Sequence, residues 1–294
     1  MNKLPVEKRV QILSMLCEGS SMRSISRVTG VSINTVTKLL VDAGNACAAF
    51  HHEAVRNVKA KSVQCDEIWS FNYRKASNLR HASAAPIGSG DVWTWTGIDA
   101  DSKLIISWHV GDRHHVAAME FIGDLKARLA NKVQLSTDGH KAYLSAVEEL
   151  DFDTDYAMLI KVFGKEGSVL GSAGRYSPPV VVGTKVQNVR GNPDPRYVNT
   201  SYAERQNLTM RMQMRRFTRL TNGFSKKMEN HCHALALYFV WYNFIKTHKA
   251  HRMTPAMAAG ITDKLMDMSD IVSMIEAEEK ALPKKRGPYR KKAA

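Results

Sequence analysis

Near residue 60 the apolar side chains change from helical spacing to alternation, and this change limits the fold more than any other feature of the chain. In VQCDEIWSF (63–71), Val63, Cys65, Trp69 and Phe71 fall on one face and Asp66 and Ile68 on the other. VWTWTGIDA (92–100) and KLIISWHV (103–110) predict two more strands around an Asp101-Ser102 turn. The helical period then returns. Ala118, Ile122, Leu125 and Leu129 form one apolar stripe, on a helix that His114-His115 opens. KVQLST (132–137) predicts a short buried strand; a helix over 140–149, a strand over 157–163 and a last helix with Glu204 follow. Three strands and then alternating helices and strands imply an α/β fold: a mixed sheet with flanking helices.

Ahead of the change, residues 1–58 predict short helices. Val6, Val10, Leu13 and Cys17 share a helical face that Glu18-Gly19 terminates. Met22, Ile25 and Val28 face inward before a turn at Gly30; Ser32 then caps a helix that buries Ile33, Val36, Leu39 and Leu40, and a connector helix covers 45–58. Two short helices around a glycine turn predict a helix-turn-helix, with Ser32, Asn34, Thr35 and Lys38 facing outward to read a DNA groove. A protein-binding three-helix bundle is the alternative. The catalytic domain is expected over 59–222. Within it, 164–199 is so rich in Gly and Pro that it predicts an inserted hairpin or flap. Helices over 223–282 complete the body; 226–247 is apolar nearly all round, which predicts a buried helix. The tail PKKRGPYRKKAA (283–294) predicts a disordered basic end.

Forty-two Lys and Arg against 28 Asp and Glu leave a formal charge of +14, which favours a polyanionic partner. Cys17, Cys47, Cys65 and Cys232 are far apart with no C-x-x-C pair, which suits a reducing compartment and argues against a disulfide framework or cysteine zinc site. The N-terminus has no secretory pattern, and no apolar stretch is long enough to span a bilayer. A cytoplasmic, nucleoid-associated protein with no membrane partner is expected.

In this basic chain, Glu204 stands among Arg205, Arg211, Arg215, Arg216 and Arg219. It is either neutralised by those cations or kept to hold a metal. Asp66 lies mid-strand, and Asp138 ends the strand 132–137, where Gly139 is expected to permit a sharp turn. Hard divalent ions take oxygen ligands, and two of them about 3.5–4 Å apart can support in-line phosphoryl displacement. Among the other acids, Glu67 alternates to the face opposite Asp66. Asp99 and Asp101 belong to a turn, and Glu166 lies in the glycine-rich insert without rigid support. On the last helix, Glu204, Leu208, Arg211 and Arg215 share a ridge beside an apolar stripe of Ala203, Met210, Met214 and Phe217. The pairs His231/His233 and His248/His251 make poor metal sites, and Trp69, Trp93, Trp95 and Trp108 read as core.

DEIW (66–69), STDGHKAY (136–143) and ERQNLTMR (204–211), in this order, resemble the D-D-E transposases of the insertion-sequence-one family over roughly residues 60–250. The resemblance implies a ribonuclease-H-like fold, with Asp66, Asp138 and Glu204 as catalytic acids holding Mg²⁺ or Mn²⁺, as two ions. It also implies cut-and-join chemistry on double-stranded DNA, both element ends and target, by a homodimer or larger assembly. Arg211, Arg215 and Asn207 are then expected to position phosphates, with Arg205 and His140 at the cleft edge. A DNA-binding regulator or inactive remnant, and a structure-specific nuclease without joining activity, are the alternatives.

Overall fold

The computed structural model describes residues 3–80, 84–164, 181–218 and 221–281. Glu166, with the rest of residues 165–180 in the glycine-rich insert, and the basic tail lie outside these residues.

Three helices come first: α1 (Val6–Cys17), α2 (Met22–Thr29) and α3 (Ile33–Ala54). Gly30 ends α2 in the left-handed conformation, φ 70°, which glycine adopts without a Cβ penalty. The Ser32 hydroxyl then accepts from Asn34 N to start α3. The expected break before a connector helix is absent, because nothing between Leu40 and Ala54 interrupts the helical hydrogen bonds. Gly44, inside α3, serves close packing instead: a Cβ there would lie 2.3 Å from the His233 Cβ on α8 (Met228–Val240). Two expected core positions are on the surface, Val28 at 64% and Ile33 at 39% exposure, whereas Ile12 and Thr29 are buried. Helical spacing located the stripe but misplaced its edge by one residue.

The sheet has six strands in the order β3-β2-β1-β4-β5-β6. They are β1 (Ser62–Asn72), β2 (Gly90–Asp99), β3 (Ile105–Gly111), β4 (Val133–Thr137), β5 (Thr154–Phe163) and β6 (Val181–Arg190). The first three form an antiparallel meander, β1, β4 and β5 run parallel, and β6 returns antiparallel to β5. The mixed sheet expected from the change of period is therefore present. The β-rich part of the insert is its sixth strand, not a separate flap, although β6 is exposed along almost its whole length.

Helices cover both faces. A one-turn helix, α4 (Ala76–Leu79), precedes β2. On one face, α5 (His115–Arg128) and α6 (Ala142–Glu149) bring Phe121 and Tyr143 against Trp95, with ring centroids 6.1 and 5.2 Å away. On the other face are α7 (Ser201–Gln213) and α8, whose Phe239 lies 5.5 Å from Trp108. A π-helical turn (Trp241–Ile245), α9 (Pro255–Ala258) and α10 (Met268–Ala281) follow, and α10 packs on α1 and α3. One apolar cluster runs from Ile12 and Leu13 in α1 through the sheet to Ile275 in α10. Among the described residues no helix is long and apolar enough to cross a membrane.

Candidate active site

Strand β1 is central, with antiparallel β2 on one side and parallel β4 on the other. Its pairing with β4 covers only Ser62–Gln64 against Gln134–Ser136. Beyond that point the two strands separate, opening a crevice at the carboxyl end of the parallel strands, where α/β sheets present ligand sites. Asp66 comes from β1 at this crevice, and Asp138 follows the last residue of β4. Gly139 has no left-handed φ, and a Cβ there would make only ordinary contact with Ile160 at 3.5 Å, so the turn does not depend on glycine. The Asp138 side chain shapes it: Oδ1 accepts from His140 N at 2.9 Å.

Helix α7 is docked on β1 by Gln64. Its Oε1 accepts from Tyr202 N (2.8 Å) and Ala203 N (3.3 Å), two first-turn donors with no partner in the helix itself, and its Nε2 donates to Asn199 Oδ1 at 2.6 Å. This seats Ala203, Met210 and Met214 on the core and turns the first turn of α7 toward Asp66. Glu204 Oε1 accepts from Thr200 Oγ1 and Lys161 Nζ, both at 2.6 Å. Asp66, Asp138 and Glu204 thus line one open cleft of ≈ 680 Å³, together with Glu67, Arg113, His140, Lys161, Asn207 and Arg211.

Glu67 departs from expectation. Strand alternation does direct it away from Asp66, toward α6, where Tyr143 donates to its Oε2 at 2.9 Å. Because β4 has diverged, its carboxylate still reaches the crevice: Asp66, Glu67 and Asp138 each place an oxygen within 4.8 Å of the others'. Crowding and burial act on Asp66 and Glu67. Burial, then the Glu67 and Asp138 charges, push Asp66 up to about 7. Burial and the Asp138 charge also raise Glu67, against the opposing pull of Arg113 and Tyr143.

The cations sort differently from the expected ridge. Arg211 lines the cleft, but α7 ends at Gln213 and Arg215 lies on a separate 3-10 turn (Arg215–Phe217), exposed and outside the cleft lining. Arg205 is exposed on the helix, also outside the lining. Asn207 is buried, and its Nδ2 donates to Asp66 Oδ2 at 2.8 Å, so it is occupied in holding an acid. Its Oδ1 is buried with no hydrogen-bond partner. Ser32, Asn34, Thr35 and Lys38 are exposed at the start of α3, far along the chain from the acids; Lys38 pairs with Asp42. Arg113 and Lys161 carried no signal in the sequence, since a lone cation in a loop or on a strand has no periodicity; Tyr143 stood in the motif STDGHKAY (136–143), but its partner Glu67 could not be read from it.

No model of a known protein family matches the chain, and no curated protein matches it. Among solved structures, it is similar to a piggyBac transposase synaptic complex with hairpin DNA (8% identity, TM-score 0.39, covering 97% of this chain and 73% of that one). It is also similar to a Mos1 strand transfer complex (11%, TM-score 0.31, 95% and 80%) and a Mos1 transposase paired-end complex with the left transposon end (12%, TM-score 0.22, 52% and 60%). Likenesses this faint leave the reading of the cleft to its own geometry.

Proposed function

We propose that this chain is a metal-dependent DNA strand-transfer enzyme, a D-D-E transposase, with Asp66, Asp138 and Glu204 as its metal-holding acids. The observation that carries this reading is that three carboxylates, from mid-β1, the end of β4 and the first turn of α7, line one open cleft whose remaining charged walls include Arg113, Lys161 and Arg211; Asp66 and Asp138 stand close together there, and Glu204 lies farther along the wall, outside their 4.8 Å cluster. The donor set fits Mg²⁺ or Mn²⁺: hard carboxylate oxygens on rigid elements, with the unpartnered Oδ1 of Asn207 beside them. Two such ions would stabilise charge on the attacking and leaving oxygens of a phosphodiester.

The chain's own groups do the rest. Glu67 N and Asn207 Nδ2 fix both oxygens of Asp66, and His140 N fixes one of Asp138. Asp66 must release its proton before it can hold a cation. Lys161, Arg113 and Arg211 attract the phosphate backbone into the cleft. In the N-terminal helices, the Gly30 turn and the exposed Ser32, Asn34 and Thr35 support a helix-turn-helix that grips duplex DNA over residues 1–58. The strand order, an antiparallel meander followed by parallel strands, supports a ribonuclease-H-like catalytic region over 59–222, extended by the C-terminal helices. Joining two element ends to a target calls for a dimer or larger assembly.

The test is incubation of a duplex oligonucleotide bearing a free 3′-hydroxyl with plasmid DNA and Mn²⁺. Joined product is expected. Asp138→Asn and Glu204→Gln should abolish cutting and joining while leaving duplex binding nearly unchanged. Cutting without joining would leave a nuclease; cutting that survives in either variant would remove that residue from the site.

A further inference from the structure

We propose that Arg113 is a phosphate-contacting residue of the cleft and that Glu67 is the positioning residue that mounts it, an assignment that rests on the cleft being a phosphoryl-transfer site. Arg113 comes from the segment between β3 and α5. Its Nε and Nη2 each lie 2.6 Å from Glu67 Oε1, and its guanidinium sits over the Trp93 ring, 4.7 Å from the centroid. Tyr143 takes the second Glu67 oxygen, so both oxygens of that carboxylate are engaged by the chain's own donors. Glu67 is therefore a mount, not a free ligand. Nη2 stands 3.7 Å from Asp138 Oδ2, too long for a hydrogen bond but adjacent to the acid that lines the cleft.

The asymmetry of exposure decides between a mount and a simple ion pair. The Glu67 side chain is wholly buried, whereas that of Arg113 is 39% exposed. A cation needed only to neutralise a buried acid is enclosed with it; this one is held along one edge and presented to the cleft. A guanidinium has five donors, and two of its nitrogens are used on Glu67, which leaves donors for an incoming oxygen. Fixed on two sides by Glu67 and Trp93, it needs no reorganisation when a phosphate arrives.

The test compares wild type with Arg113→Gln, Glu67→Gln and the double variant, using three readouts. Cleavage of duplex DNA with Mn²⁺ should fall about a hundredfold in kcat for Arg113→Gln and stay there in the double variant. Duplex affinity in Ca²⁺, where binding is read without turnover, should fall, and its salt slope should drop by about 0.9 for the loss of one phosphate contact. Mn²⁺ binding by calorimetry should be retained or tightened, since a competing cation has left Asp138. Recovery of activity in the double variant would make Arg113 only a counter-ion for Glu67 and overturn the proposal, as would loss of Mn²⁺ binding or an unchanged affinity and salt slope. A wild-type chain that binds duplex without cutting it, and whose Arg113→Gln variant binds more weakly, would remove the reaction and leave the contact.

Discussion

Replacing Asp66 by Asn should make the metal-free protein more stable at about pH 8 while abolishing DNA cutting. Asp66 is raised from the ordinary 3.8 to about 7, first by burial and then by Glu67, Asp138 and Glu204. Each factor of ten is worth about 1.4 kcal/mol, so keeping this carboxylate ionised in the fold costs at most about 4 kcal/mol above the upper pKa. Solvent entering from the cleft screens the charge, and about 2 kcal/mol is the working figure. The sign follows from proton counts. Between about pH 4 and 7 the folded chain holds a proton that the unfolded chain has lost, so this group's contribution to stability declines as pH rises through that window and levels off above it. Asn carries no charge, and the neighbourhood can accept it: Glu67 N still finds an oxygen, and Asn207 can rotate its unpartnered Oδ1 toward the new amide. Urea denaturation with EDTA should therefore show Asp66→Asn ahead by about 2 kcal/mol at pH 8 and close to wild type near pH 4. Mn²⁺ should stabilise wild type more than the variant. A variant that is less stable than wild type at pH 8, or whose advantage is the same at both pH values, would refute the reasoning.

If the cleft holds a divalent ion as proposed, the same proton would govern its loading. Mn²⁺ affinity, followed by calorimetry, should climb with pH to about 7 and then flatten, with proton release below that point; equal affinity at about pH 5.5 and 8 would exclude Asp66 as a ligand. Elsewhere, Gly44→Ala should destabilise the protein by about 1–3 kcal/mol, because the added methyl meets His233 backbone and Cβ atoms and drives α3 away from α8. Denaturant midpoints check this, and a neutral result would mean that the two helices can part without loss.

Much of the fold was legible because strands and helices bury different periodicities. The alternation in 63–71 and the 3.6-residue stripe ending at Leu129 located β1 and α5 within a residue or two. The settings of the three acids were legible: Asp66 in mid-strand, Asp138 just past a strand end and Glu204 in the first turn of a helix among arginines. Glu67 was set aside by a rule that is true of the strand but incomplete for the site. Alternation describes where a side chain leaves the sheet, and it does not register that a neighbouring strand has pulled away, letting a long side chain reach the gap. Arg215 failed for a related reason. The ridge assumed a continuous helix, and the extended backbone of Met214 breaks it one residue earlier. Asn207 could be placed at the cleft from its helical position, but whether its amide faces a ligand or an acid depends on β1, a partner more than a hundred residues away.

Helix α3 has a mechanical consequence. It is 22 residues long, a rod of about 33 Å, unbroken and clamped by α8 and α10. Whatever its exposed first turn were to grasp would be carried at a set offset from α8 and α10, because no hinge interrupts the rod. A duplex gripped there would be measured as by a caliper, and the bond presented for cutting would be chosen by counting base pairs from the grip.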